Sequence, residues 1–104
     1  MPLDGTNFVI PENRVAQCLI RARAKILSPA NWCQRTGVDG HRQCAFAALS
    51  DWRYGNDQIR AKIILDGVAQ ARGYTGIMHL NDATSHAQVM SAFREAIEIA
   101  RADG

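Results

Sequence analysis

The stretch "NWCQRTGVDGHRQCAFAAL", residues 31–49, joins a polar loop to an almost uncharged run. Residues 29–40 contain a proline, two glycines, an asparagine and an aspartate, a composition that is typical of a connection. Residues 44–49, "CAFAAL", carry no polar side chain on any face of a helix, so this helix has to be covered on most sides. The sequence therefore predicts a central helix that includes Cys44, with Asp39 as its N-cap and Gly55 as its stop.

Three further helices are indicated by apolar residues that recur at three- and four-residue steps. The first is predicted over about residues 11–28, between Pro11 and Pro29, and the second is capped by Asn56 or Asp57 and ends at Gly73. The last covers about residues 86–102 and opens with an S-x-x-Q capping box at residues 85–88. Gly67 lies inside the helix that starts near residue 56, which predicts either that another helix approaches it closely or that the helix breaks at Asp66-Gly67, and we favour the close approach.

The remaining segments are short. "TGIMHL", residues 75–80, is predicted to be a strand that pairs with Phe8–Ile10 in a minor two-stranded ribbon. The predicted fold is mostly α, a compact bundle of about four helices, with this ribbon as an optional addition. The chain of 104 residues is expected to form a single globular domain over residues 1–104.

Composition restricts the class of protein. The net charge of +2 is too small to indicate a nucleic-acid or anionic-membrane partner by itself. The three cysteines are an odd number without regular spacing, which favours free thiols in a reducing compartment. The first ten residues lack the pattern of a signal peptide, and no stretch has the length of apolar residues that a membrane span needs. We therefore expect a cytoplasmic protein with no membrane partner.

Several short motifs occur together in one chain order. Trp32-Cys33-Gln34 and Asp39-Gly40 precede the Cys44-led small-residue helix, and Leu80-Asn81-Asp82-Ala83 precedes the last helix, "SHAQVMSAFREAIEIA". This order resembles a family of small bacterial and phage domains of unknown function. Arg35 stands where its members usually have a glycine, and Leu80 stands where they usually have an aromatic residue. The resemblance implies no reaction, but it draws attention to Trp32, Gln34, Cys44, Asn81 and Asp82.

Four of these residues form the first functional hypothesis. Asn81 and Asp82 could project with Trp32 and Gln34 into one polar groove, since loops on rigid scaffolds often carry binding residues. The best interpretation is a small soluble binding or protein-interaction module, whose partner is another protein or a small ligand. Turn and cap chemistry also explains the short polar side chains around Asn81 and Asp82.

Cysteine chemistry is the second hypothesis. On a helix, His41 and Cys44 are three residues apart and share a face, so the imidazole could assist ionisation of the thiol in a cysteine-dependent enzyme. Cys33, His41 and Cys44 could also supply three zinc ligands, but their spacing is unlike that of zinc ribbons and fingers. We expect no metal and no cofactor, and we regard an enzyme as the weaker interpretation.

A basic stripe on the first helix is the third hypothesis. Arg14, Arg21 and Lys25 lie along one flank, which could serve a nucleic-acid accessory protein. Long cationic side chains that border an apolar face also lie there for purely structural reasons. With no recognition helix and little net charge, nucleic-acid binding is disfavoured.

Overall fold

The computed structural model describes residues 12–103, which are mostly helical and include a small antiparallel ribbon. The predicted fold class is thus confirmed, although the described residues form five α-helices instead of about four. The helices are α1 (Arg14–Lys25), α2 (Ala45–Leu49), α3 (Asn56–Ala71), α4 (Ile77–Ala83) and α5 (His86–Asp103), and the strands are β1 (Val38–Asp39) and β2 (Arg42–Gln43). No helix of residues 12–103 is both long and apolar enough to cross a membrane.

The core lies where α1, α3 and α5 pack pairwise against one another. Phe93 of α5 is fully buried there, together with Leu19 of α1 and Leu65 of α3. The short helices α2 and α4 pack against each other and against α3, and they add Leu49 and Leu80 to the same core. Burial of these large side chains is the main force that holds the five helices together.

Local capping sets the beginning of α1. The Asn13 side chain accepts a hydrogen bond from the Ala16 N–H at 2.8 Å, so the helix starts at Arg14 and not near Pro11. Glu12 therefore precedes the helix, and Pro11 lies outside the described residues. The helix also ends earlier than predicted, at Lys25, with Ile26 as its C-cap. The predicted helix exists, but its predicted span was too long at both ends.

The two longest helices match their predicted bounds closely. The Ser85 hydroxyl accepts a hydrogen bond from the Gln88 N–H at 3.2 Å, which confirms the Ser85 half of the capping box predicted for α5. Helix α3 starts at Asn56, and Gly55 acts as its N-cap without a side-chain hydrogen bond, so the cap predicted at Asn56 or Asp57 is wrong. The close approach predicted at Gly67 is wrong within the described chain, because a Cβ added there would meet no atom within 4 Å.

The segment from Cys44 to Gly55 differs from its prediction. Cys44 is the N-cap of α2, since its sulfur accepts from the Ala47 N–H at 3.4 Å, whereas Asp39 lies in β1 and does not cap this helix. Helix α2 has only five residues and is followed by a 3-10 turn at Trp52–Tyr54. Asp51 accepts from the Arg53 N–H and so caps this turn, which competes with continuation of the helix. Helix α2 was also expected to be covered on most sides, but its Phe46 side is exposed.

The strand predicted at residues 75–80 is wrong, because residues 77–83 form α4. The Asp66 carboxylate of α3 accepts a hydrogen bond from the Ile77 N–H at 2.8 Å, so a neighbouring helix supplies the cap. Gly76 permits this approach, because an added Cβ would lie 2.5 Å from Asp66 Oδ1. The proposed pairing partner, Phe8–Ile10, lies outside the described residues. The ribbon that does form pairs β1 with β2 in the loop between α1 and α2.

Candidate functional site

The long loop between α1 and α2 lies against α4 and the start of α5. Trp32 follows a 3-10 turn at Pro29–Asn31 and forms a parallel bridge with Gln43, next to the β1–β2 ribbon. The ring of Trp32 meets the imidazole of His86 edge-on, with centroids 5.5 Å apart. His86 Nε2 lies 2.7 Å from the carbonyl oxygen of Ile26. A carbonyl can only accept, so Nε2 carries the proton, and His86 has the structural role expected for a backbone-bonded histidine.

Asn81 is the centre of this contact. It is fully buried in α4, and its Oδ1 accepts from Trp32 Nε1 at 2.7 Å and from the Ala45 N–H at 2.9 Å. Its Nδ2 donates to the Cys33 carbonyl at 3.0 Å and to Asp82 Oδ1 at 3.0 Å. One amide thus joins the loop, the first residue of α2 and α4, and it satisfies backbone groups that would otherwise be buried without partners.

Gln34 and Asp82 complete the contact. Gln34 Nε2 lies within hydrogen-bonding distance of the carbonyl oxygens of Asn81, Asp82 and Thr84, at 3.2, 3.4 and 2.8 Å. It therefore caps the C-terminal end of α4, where carbonyl groups lack helical partners. Asp82 Oδ1 accepts from the Arg35 N–H at 2.8 Å. Arg35 has φ 66°, a left-handed conformation that glycine adopts more easily, and this is the position where the resembled family usually has glycine.

The four predicted contact residues, Trp32, Gln34, Asn81 and Asp82, do converge; we call them the Asn81 cluster. They bond to each other and to nearby backbone, and every buried side-chain nitrogen and oxygen of residues 12–103 has a partner. A binding role for them stays a prediction. Their hydrogen bonds have a clear structural consequence: they fasten the loop of residues 28–44 to α4.

Cys44 and His41 do not share a helical face. His41 is an exposed residue in the turn between β1 and β2, whereas Cys44 is 1% exposed at the start of α2. The helical geometry assumed for this pair is thus wrong, because the chain forms a ribbon where a helix was expected. All three cysteines are free and buried. Burial raises the pKa values of the Cys18 and Cys33 thiols, which makes these two sulfurs less reactive.

Metal-binding residues are dispersed in the part of the chain that the structure describes. No three His, Cys, Asp or Glu side chains of residues 12–103 lie together in a group that could hold a metal ion. The zinc ligand set considered from the sequence, with Cys33, His41 and Cys44, therefore has no geometric support.

Two of the three cations in the predicted basic stripe have partners within the chain. Arg14 forms an ion pair with Asp57 at 3.0 Å and lies 5.0 Å above the ring of Tyr54. Lys25 donates to the Ala48 carbonyl at 3.0 Å and to Asp51 at 3.2 Å. Arg21 is exposed. Nucleic-acid binding stays a disfavoured prediction, since these partners account for Arg14 and Lys25 structurally.

An apolar groove between α2, α3 and α4 was not foreseen. It has a volume of ≈ 300 Å³, and its walls include Phe46 from α2, Ile59 and Ile63 from α3, and Met78 from α4. All four side chains are more than 40% exposed, and Ile63 reaches 65%. We call these four residues the α3 groove. The sequence feature that could have indicated this groove is a pair of isoleucines on the polar side of α3. Ile59 and Ile63 are four residues apart, and Ile63 is four residues before Gly67.

The polar groups of the α3 groove lie at its edges. The Lys62 ammonium lies 4.2 Å from the centroid of the Phe46 ring and donates to Gln58. Asp66 is held by its bond to the Ile77 N–H. The groove therefore offers a surface of large apolar side chains with one cation and one anion beside it.

The fold and these contacts define a small helical domain whose long loop is fastened to a short fourth helix by a buried asparagine. The chain belongs to a family of unknown function (DUF6197), whose model matches residues 11–99. This confirms the resemblance to a domain family of unknown function that the sequence motifs indicated. No curated protein and no solved structure matches the chain.

Proposed function

We propose that this protein is a protein-interaction module that binds through the α3 groove. The observation that carries the proposal is the exposure of Phe46, Ile59, Ile63 and Met78 on one side of the molecule. Scattered exposed apolar residues are ordinary, but a contiguous set that lines a groove is typical of an interaction site. Removing these side chains from water would supply the free energy of association.

The Asn81 cluster is the weaker candidate for the binding surface. Asn81 is fully buried, and Gln34 already contacts the C-terminal carbonyls of α4. A ligand would have to displace these hydrogen bonds before it could use the same groups, and loss of a buried partner is costly. We therefore assign the cluster to positioning: it holds α4, and with it Met78, at the wall of the α3 groove.

The two alternative functions receive less support. A cysteine-dependent enzyme would need Cys44 to reach its substrate, but this residue is buried and its sulfur accepts from the helix backbone. A nucleic-acid accessory protein would need its basic stripe free for phosphates, and Arg14 and Lys25 have partners within the chain. We place the module in the bacterial cytoplasm, which is consistent with its three free cysteines.

The experiment is site-specific photocrosslinking in cells that produce the protein. A photoreactive residue replaces Ile63 in the groove or, as a matched control, exposed Glu98 on α5. We expect an adduct of one defined mass from position 63, identified by mass spectrometry and weakened by Ile59→Glu. Equal adducts from both positions, or none from position 63, would contradict the proposal.

A further inference from the structure

The exposed face of α3 has an ordered pattern of large and small residues. Ile59, Ile63, Gly67 and Ala71 follow each other at four-residue steps and all four are exposed. Residues at such steps form a ridge on a helix, and ridges of this kind pack against other helices. Ala61, Leu65, Val68 and Ala69 are buried on the opposite face, so this ridge lies on the exposed side of α3, beside the polar residues Arg60 and Gln70. Large apolar side chains that line an exposed groove are typical of an interaction surface.

Gly67 adds an independent reason to expect a neighbour. Glycine in the middle of a helix costs about 1 kcal/mol relative to alanine. Nothing among residues 12–103 repays this cost, because an added Cβ at position 67 would have no atom of the described chain within 4 Å. A missing side chain on an exposed helix face lets a second helix come close to the backbone at that point.

The ridge is complementary to itself when reversed. In an antiparallel pair of α3 helices with a two-fold axis between Ile63 and Gly67, each Ile63 lies opposite Gly67 of the second copy. Each Ile59 then lies opposite Ala71 of the second copy. Large side chains meet small ones at both steps, so the same surface serves both partners, as a two-fold interface requires.

Charge is complementary under the same operation. Lys62 and Asp66 lie on one flank of the ridge, at the edge of the groove. In an antiparallel two-fold pair, the flank of one α3 helix that carries Lys62 and Asp66 lies beside the same flank of the other. Lys62 of each copy therefore faces Asp66 of the other copy. Asp66 binds the Ile77 N–H through Oδ1, and the ion pair needs only Oδ2. A parallel arrangement lacks this match, because it brings opposite flanks together.

We propose that the α3 groove binds a second copy of this chain, in an antiparallel two-fold dimer centred on Ile63 and Gly67 of α3. This inference rests on the proposed function, since it names the partner of the same surface. Phe46 and Met78 form the wall beside the α3 ridge and contact the flank of the second α3 helix.

Sedimentation equilibrium of the purified full chain tests the proposal. Over about 1 µM to about 1 mM, the range expected for a small interface, we expect wild-type protein to change from monomer to dimer. Ile63→Glu and Gly67→Leu are each expected to sediment as monomers across this range. Lys62→Glu, which places a carboxylate opposite Asp66, should raise the dimer dissociation constant by about tenfold or more at low salt. Ile99→Glu changes an exposed isoleucine of α5 and should leave the dimer unchanged.

Gly67→Ala separates the dimer from folding of the monomer. The variant should melt at a higher temperature at low concentration, because alanine favours the helix and its Cβ meets no described atom within 4 Å. It should nevertheless dimerise more weakly than wild type. Circular dichroism spectra identical to that of wild type will show that Ile63→Glu and Gly67→Leu fold.

Two results would overturn the dimer. One is wild-type protein that stays monomeric up to about 1 mM, the highest concentration of the sedimentation series. The other is a dimer that survives both Ile63→Glu and Gly67→Leu. A monomer whose position 63 crosslinks to a different protein would refute the dimer and leave the proposed function standing. A monomer without adducts would refute both.

Discussion

Replacing Asn81 by leucine should cause a large loss of stability, and its size follows from the hydrogen bonds of this residue. Leucine has the same branching and number of side-chain heavy atoms and is somewhat bulkier, so the change removes hydrogen bonds without leaving a cavity. The Ala45 N–H and the Cys33 carbonyl, both bonded to Asn81 in buried surroundings, would lose a partner. Each buried group left unpaired costs about 1–3 kcal/mol, so the free energy of unfolding should fall by about 2–6 kcal/mol.

The assay is urea unfolding followed by far-ultraviolet circular dichroism. A loss of this size is a large fraction of the 5–15 kcal/mol, roughly, that stabilises a domain of this length, and the melting temperature should fall by about 10 °C or more. Arg94→Leu, which also replaces a polar side chain by leucine but at an exposed site on α5, should alter stability by less than about 0.5 kcal/mol. A loss below about 1 kcal/mol for Asn81→Leu would refute the view that the Asn81 cluster fastens the loop to α4.

Three further changes test individual parts of the structure. Hydrogen bonds from Arg53 and then Lys25 lower the pKa of buried Asp51, so its stabilising contribution is complete above the unfolded value of about 3.9 and is lost as the pH falls below it. The stability difference between wild type and Asp51→Asn should therefore shrink between about pH 4 and about pH 2 in urea unfolding, and a constant difference would contradict this cause. Arg35→Gly should leave the unfolding free energy unchanged or raise it by up to about 1 kcal/mol, since φ is 66°, whereas Thr36→Gly should lower it; equal losses would show that the left-handed residue carries no strain. In a variant whose other two cysteines are serine, Cys44 should react with a thiol reagent more slowly in the native than in the unfolded protein, and an equal or faster native rate would restore the cysteine-enzyme hypothesis.

Helices α3 and α5 show how far local patterns extend. Their apolar periodicity spans at least four turns, and Ser85 provides a cap that is readable in the chain itself. Long periodic segments are dominated by interactions between near neighbours, so their bounds could be predicted closely. The start of α1 differs from its prediction because the side chain of Asn13, and not Pro11, sets the first turn.

Short segments depend on distant neighbours. Residues 77–83 are helical because Asp66, eleven residues earlier than Ile77, caps the first turn and because Gly76 leaves room for its carboxylate. No pattern within six residues contains that information. Likewise, His41 and Cys44 were placed on one helix because the ribbon of β1 and β2, whose strands have two residues each, has no periodicity to detect.

The residues of the candidate site could be predicted from the sequence, but their arrangement could not. The motif residues Trp32, Gln34, Asn81 and Asp82 could be identified from their chain order, but the sequence did not distinguish a groove from a set of mutual hydrogen bonds. The direction of each amide and indole decides that question, and those directions depend on how α4 meets the loop. The exposure of Ile59 and Ile63 likewise depends on which face of α3 the other helices cover.

The amino-acid sequence by itself determined the helical class, the three long helices and the residues that meet around Asn81, because each follows from interactions among near neighbours or from recognisable motifs. The tertiary structure alone decided that Cys44 is a buried cap, that residues 77–83 form a helix and that α3 keeps an apolar face uncovered. These features arise from contacts between residues far apart in the chain, which have no periodic trace in the sequence.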